Sequence, residues 1–325
     1  MKIKLFLNTG ALALALLALG GCAKNKDVEP SITNIAVTNP DFQTLEDAAI
    51  RGDVAVLLGN KNEADASGNF TVFAPTNAAF ARLGLNSATD LLALQQPFLR
   101  STLFYHVFSG TLPGDALVPG AEPASALGPK RRIIQRADGT KYVNGSRILG
   151  TDVKAANGLI HPIDKVLLAT GGNVVESAVA LSTSKVFVKP ELTFLVAAVL
   201  RCNLQGLLSA PGPYTVFAPT DQAFINAGIP SIDAINKMDV PTLTGILANH
   251  VLSNTPAAQL GNKFTPELPD GRTVTAYGGG SLVLGTFADG VLTVKGPTNP
   301  APANLVIPDV QCTNGVVHVI DRVLL

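Results

Sequence analysis

Tryptophan is absent from this 325-residue chain, methionine occurs twice and cysteine three times. Three cysteines are too few for a disulfide framework, and no Cys-x-x-Cys pair exists to hold zinc or cycle as a dithiol. An excess of either charge is lacking too, since 24 Lys and Arg balance 24 Asp and Glu. A neutral chain has no basic field to attract phosphate backbones, which argues against general nucleic-acid binding. Charged residues make up only 15% and hydrophobic residues 47%, a balance that excludes intrinsic disorder and leaves ample apolar surface for a core. The uninterrupted apolar run at residues 11–19 is far short of the roughly 20 needed to span a bilayer. No Gly-x-Ser-x-Gly elbow, His-Glu-x-x-His helix or phosphate-cradling Gly-Lys loop is present, and the lone run Gly278-Gly279-Gly280 reads as a flexible turn. What is plentiful is turn chemistry, with 30 Gly and 22 Pro. That suits many short strands.

The N-terminus reads as an address. Lys2 and Lys4 precede a mostly apolar stretch, and small residues lead to a boundary, the order found in secretory signal peptides. The boundary Leu19-Gly20-Gly21-Cys22 resembles the lipobox of bacterial lipoproteins. That resemblance implies a signal peptide at 1–21 that is removed and lipid on Cys22, which becomes the first residue. Residues 22–30 end in Pro30, as a tether would, and the polar stretch Ala23–Pro30 at about 3.3 Å per residue reaches roughly 25 Å from a membrane. Ala23, in place of an Asp after the Cys, points by analogy to the outer membrane or cell surface over the inner membrane.

Internal repetition is the strongest signal. TVFAPTNAAF at 71–80 recurs as TVFAPTDQAF at 215–224, an offset of 144 residues, and YHVFSG at 105–110 recurs as NHVLSN at 249–254 with the same offset. NGLIHPIDKVLL at 157–168 recurs as NGVVHVIDRVLL at 314–325, an offset of 157, so 13 residues have been gained between the second and third boxes. The chain is one unit written twice, at 31–169 and 173–325. Leu192, Leu195, Val196, Val199 and Leu200 recur at helical spacing, with Leu45, Ala48 and Ala49 as a weaker copy. Thr76 and Thr220 follow a short β-type run where a helix N-cap is wanted, and Pro97 and Pro241 are placed to open another helix before a Tyr/Asn-His-Val strand. Asp138-Gly139, Asn144-Gly145, Asp270-Gly271 and Asp289-Gly290 mark tight turns. Helices first and then an antiparallel sheet make each unit an α+β domain.

The boxes TVFAPT-x-x-AF, Tyr-His-Val and NG-[LV]-[IV]-H-x-ID-x-VL, in this order and twice over, resemble the fasciclin domain. The resemblance implies two fasciclin-like domains, each a mainly antiparallel wedge of about seven strands with helices packed alongside. It also implies a secreted or surface-anchored protein associated with adhesion and extracellular binding, without general catalysis or an obligatory cofactor. Copy two departs from the pattern at Asn249, where copy one has Tyr105. Two segments are candidates for partner binding, because their relatives are implicated in receptor contact in animal fasciclin proteins. They are Tyr105-His106, with His250 as its repeat, and Asp152-Val153, with Pro308-Asp309-Val310 as its repeat.

All four histidines lie in repeated boxes. Repetition makes them properties of the unit, and hydrogen bonding across the fold is the expected role of His106, His161, His250 and His318. His161 and Asp164, like His318 and Asp321, are three apart and leave opposite faces of a strand, which disfavours a shared metal. These four, with Thr76 and Thr220, are expected as structural motif residues. Cys202 and Cys312 are read as separate buried thiols, with a disulfide as the alternative. Together these readings predict a lipid-anchored cell-envelope adhesion protein with no catalysis, cofactor or metal, binding an extracellular protein or glycan. A periplasmic structural or small-ligand-holding lipoprotein is the alternative, and a hydrolase a remote one.

Overall fold

The computed structural model describes residues 29–183, 192–256 and 258–325. The expected signal peptide, Cys22 and tether residues 22–28 lie outside them. Domain 1 opens with α1 (Ile32–Thr38), α2 (Gln43–Arg51), α3 (Ala55–Gly59), β1 (Phe70–Pro75), α4 (Asn77–Ala81), α5 (Ala88–Leu91) and α6 (Gln96–His106). It continues through β2 (Val107–Ser109), β3 (Ile133–Gln135), β4 (Lys141–Val143), β5 (Ser146–Arg147), β6 (Val153–Ala155), β7 (Gly158–Ile163) and β8 (Leu168–Ala169). Domain 2 repeats the plan with α7 (Val174–Thr183), α8 (Thr193–Arg201), α9 (Gln205–Ser209), β9 (Tyr214–Pro219), α10 (Asp221–Asn226), α11 (Ile232–Lys237) and α12 (Val240–Ala248). Its strands are β10 (Val251–Thr255), β11 (Ala258–Gln259), β12 (Thr273–Thr275), β13 (Ser281–Leu284), β14 (Thr293–Lys295), β15 (Ala303–Cys312) and β16 (Gly315–Ile320).

Local chemistry places the helices. The Thr76 and Thr220 hydroxyls accept from the N–H groups of Ala79 and Ala223 at 3.3 and 3.1 Å, capping α4 and α10. Pro97 and Pro241 sit in the first turns of α6 and α12, where a missing N–H has no partner to lose. Leu45 and Ala48 of α2, and Leu192 and Leu195 at the start of α8, turn inward as their spacing predicts, with Ala49, Val196 and Val199 half-buried, whereas Leu200 at the end of α8 is 53% exposed and does not face the core. One expectation changes. Tyr105 and His106 close helix α6, and the strand begins only at Val107.

At the centre of each domain, β1 runs parallel to β7, and β9 parallel to β16, over six residues each. All of β1 and all of β16 are buried, because helices cover one face and the remaining strands the other. Phe73 and Phe217, both at 0% exposure, belong to the strand-side core, while Phe80 and Phe224 belong to the helix-side core. In domain 1 the described strands form a four-stranded sheet, β2-β1-β7-β6, and a three-stranded sheet, β3-β4-β5. The antiparallel pairs outnumber the parallel one, and the fold is the α+β wedge with helices alongside.

Domain 2 fuses the two sheets into one of nine strands, because β15 is long enough to do the work of both β5 and β6. Register shifts between Leu305 and Ile307, and between Ile307 and Val310, let it bend between the two. The ninth strand belongs to domain 1: β8 pairs in parallel with β15, Leu168 against Val310 and Ala169 against Gln311. The join between the domains is thus a strand of the second sheet.

Candidate functional site

The four histidines form two repeated pairs, and backbone groups use both nitrogens of every ring. His106 donates from Nδ1 to the Thr102 carbonyl at 2.7 Å and accepts the Leu167 N–H on Nε2 at 2.8 Å. His250 does the same with the Ile246 carbonyl and the Leu324 N–H, both at 2.8 Å. Each ties the end of its helix to the segment that follows the central strand β7 or β16. Burial holds His106 and His250 neutral and pushes both pKa values down to about 4. His161 and His318 use the other tautomer. Their Nδ1 atoms accept the N–H groups of Asp152 and Asp309 at 3.1 Å, and their Nε2 atoms donate to the Leu112 and Lys263 carbonyls. Burial lowers these two as well.

Asp152 and Asp309 occupy one repeated cradle. Both have left-handed backbones, with φ of 63° and 67°, a conformation a short polar side chain tolerates. Each carboxylate reaches across to the first N–H of a 3-10 turn, that of Gly114 at 2.9 Å and that of Thr265 at 2.6 Å. Gly114 and Thr265 are 151 residues apart, so the growth between copies is split, part before this turn and part after it. Asp164 and Asp321 likewise accept matching backbone N–H groups, those of Arg147 at 2.7 Å and Asn304 at 2.8 Å.

The two cradles then part ways. Asp309 is sealed against domain 1, where Lys165 Nζ lies 2.7 Å from its Oδ2 and 2.6 Å from the Gly290 carbonyl. Burial alone would raise the Asp309 carboxyl, but the Lys165 ammonium and the Thr265 N–H outweigh it and hold it below the usual carboxylate range. Gly145 is needed for this approach, since a Cβ there would stand 1.8 Å from Asp309 Oδ2. Around the pair, Arg132 binds Glu267 at 2.8 Å and lies over Phe264, while Arg136 binds Asp270 at 3.0 Å and lies over Phe287. Gln311 of domain 2 accepts from the Tyr105 hydroxyl and from Asn144. The domains meet through a desolvated polar contact, edged by arginines stacked on aromatic rings.

The candidate residues therefore have different situations. Tyr105, His106, His250, Asp309 and Val310 are buried and bonded or packed within the chain, with Pro308 half-buried beside them. Tyr105 contacts a partner surface, but that surface is domain 2 of the same chain. Asn249, its repeat, faces its own domain: a Cβ at Gly280 would lie 2.3 Å from Asn249 Oδ1, which gives the glycine run at 278–280 a packing reason. Asp152 and Val153 are exposed, as is Lys154 after them.

Sequence reasoning passed over several residues. Asn157 and Asn314 each pin the first helix of their domain. Asn314 accepts the Val174 N–H and donates to the Leu208 and Ala210 carbonyls, all at 2.9 Å, and Asn157 makes the same three bonds with Ile32, Leu58 and Asn60. The repeat of the Asn in the closing box was the available signal. Arg131 is fully buried, donates to the Tyr105 and Ala124 carbonyls and lies over Phe73, and burial lowers it to about 10. Nothing in its sequence context announces that. Cys202 and Cys312 are separate free thiols, and burial pushes Cys312 up to about 11. Among the described residues no group of three or more His, Cys, Asp or Glu is placed to hold a metal ion, and no helix is long and apolar enough to cross a membrane.

Comparison with known proteins adds the following. The family described as the fasciclin domain matches residues 40–169 and again 190–325. Transforming growth factor-beta-induced protein ig-h3 of Sus scrofa is 31% identical over 268 residues, which are 81% of this chain and 35% of that protein. Human periostin is 24% identical over 82% of this chain and 29% of its own length. The chain thus spans about a third of the length of these curated relatives. A solved FAS1 domain pair from the insect cell adhesion molecule Fasciclin I aligns with 19% identity and a TM-score of 0.38, covering 79% of this chain and 88% of that one.

Proposed function

Because the chain belongs to the fasciclin domain family, we propose that it is a non-catalytic binding protein of the cell envelope. Lipid on Cys22 holds it at the outer membrane or cell surface, and the tandem domains adhere to an extracellular protein or glycan. The observation that carries this reading is the unequal fate of one repeated segment. In domain 2, Asp309 and Val310 are consumed in joining the domains, whereas Asp152, Val153 and Lys154 of domain 1 stay exposed, Val153 at 40%. An apolar side chain framed by one acid and one base makes a small mixed surface of the kind that docks proteins or sugars. A fragment spanning residues 23–325 is therefore expected to bind members of a glycan array or a panel of extracellular-matrix proteins. Val153→Asp and Lys154→Glu should weaken that binding at least tenfold with the circular dichroism unchanged, and equal binding by these variants would remove the surface from consideration. Cys22→Ser should release the protein from the membrane fraction. Complete protection of both domains from protease added to intact cells would favour the periplasmic reading.

A further inference from the structure

Domain 2 contains a cavity of about 200 Å³ between its first helices and the central strands, lined by Ala178, Leu195, Val196, Val199, Leu208 and Leu247 among others. An engineered apolar cavity of about 150 Å³ stays dry and admits benzene, so by proportion this one accommodates about eight carbons. Its wall is overwhelmingly apolar, with Tyr214, Thr244, His250 and Tyr277 as the polar side chains among its lining residues. Both ring nitrogens of His250 are taken, and the Tyr214 hydroxyl donates to the Leu207 carbonyl at 3.0 Å. A strongly polar molecule entering here would lose its water and find only the Thr244 and Tyr277 hydroxyls in exchange. The mouth has a different character. Of the cavity's lining residues Leu200 and Leu207 are 53% and 42% exposed, and Tyr277, 54% exposed, puts a phenol at the edge of the solvent.

The first copy supplies the internal control. Its cavity occupies the same place but measures about 80 Å³, and Glu46 and Phe42 line it. The matching positions of copy two, 150 residues on, are Val196 and Leu192. A carboxylate has given way to an aliphatic side chain, so the larger space, with no carboxylate among its lining residues, is particular to domain 2. Ala36 and Ala178 line the two cavities at equivalent helix positions.

We infer that domain 2 binds the hydrocarbon tail of a single-chain amphiphile, taking a medium-length alkyl chain into this cavity and leaving the polar head at the Tyr277 rim. This site is separate from the exposed Asp152-Val153 surface and does not depend on the adhesion reading. Calorimetric titration of the full chain with sodium alkanoates from four to twelve carbons, each below its micelle concentration, tests it. Affinity should rise about fourfold per methylene up to about eight carbons and then level off, at one chain per protein. Benzene should compete with octanoate. Ala178→Leu should weaken octanoate at least tenfold with the melting temperature maintained, while Ala36→Leu leaves the affinity unchanged. Affinity that keeps climbing through twelve carbons, indifference to benzene, or equal sensitivity to the two alanine variants would overturn the inference, as would the absence of saturable binding. The break in the chain-length series and the benzene competition need no variant, so a poorly folding Ala178→Leu would not shield the idea.

Discussion

His106 and His250 make the stability of each domain depend on pH in a direction their environment fixes. The unfolded rings take a proton near pH 6.5, whereas the buried rings refuse it until about pH 4. Their contribution is therefore whole above pH 6.5 and is lost as the pH falls toward 4, at about 1.4 kcal/mol per pH unit for each ring. Urea midpoints measured between pH 7.5 and 4.5 should drop steeply below 6.5, and a flat profile would mean that the native rings accept protons freely. Asn314 gives a second expectation at this scale. Asn314→Ala strips partners from one buried N–H and two carbonyls, and should cost about 2–4 kcal/mol by denaturant titration. The repeated boxes made these residues visible as members of the unit. Their partners were not legible, because those groups lie up to 140 residues away and are backbone atoms that any residue would supply.

At the scale of elements, the parallel pair of β1 and β7 depends on Gly158. Its φ is 147°, and a Cβ would stand 1.7 Å from the Phe70 carbonyl oxygen, so Gly158→Ala must push apart the central strands of domain 1. A loss of about 3 kcal/mol or more in unfolding free energy is expected, and a near-neutral result would show that the strands separate cheaply. The capped helices and the Asn-Gly and Asp-Gly turns were readable because each is decided within a few residues. The Asn144-Gly145 dipeptide turns β4 into β5 by direct succession, Val143 facing Ser146. The end of α6 was not so readable. Pattern suggested a strand from Tyr105, but the Thr102 carbonyl offers His106 Nδ1 a partner one turn back, and the helix persists that far. The fusion of two sheets through β15 was invisible as well, since the stretch from Arg147 to Asp152 and that from Asn304 to Asp309 are equal in length and only the pairing with β16 makes the second continuous.

At the scale of the whole molecule, the two domains share a sheet and a buried ion pair. Lys165→Met leaves Asp309 desolvated without its cation, a loss of about 3–5 kcal/mol concentrated at the junction. Scanning calorimetry should then show two transitions in place of one cooperative event, and a single unchanged transition would mean that β8 and the arginine pairs suffice. Reading the chain by itself determined the duplication, the α+β class, the family and the capping and turn residues, because each is written in local order or in self-similarity. It also singled out the Asp-Val segment. Which copy of that segment faces solvent was decided only by tertiary structure: Lys165 reaches Asp309 where β8 joins the second sheet, and among the described residues no cation is bonded to the Asp152 carboxylate. Two copies of one Asp-Val segment acquired opposite exposures because burial belongs to the neighbours a residue meets in space, and those neighbours come from the other half of the chain.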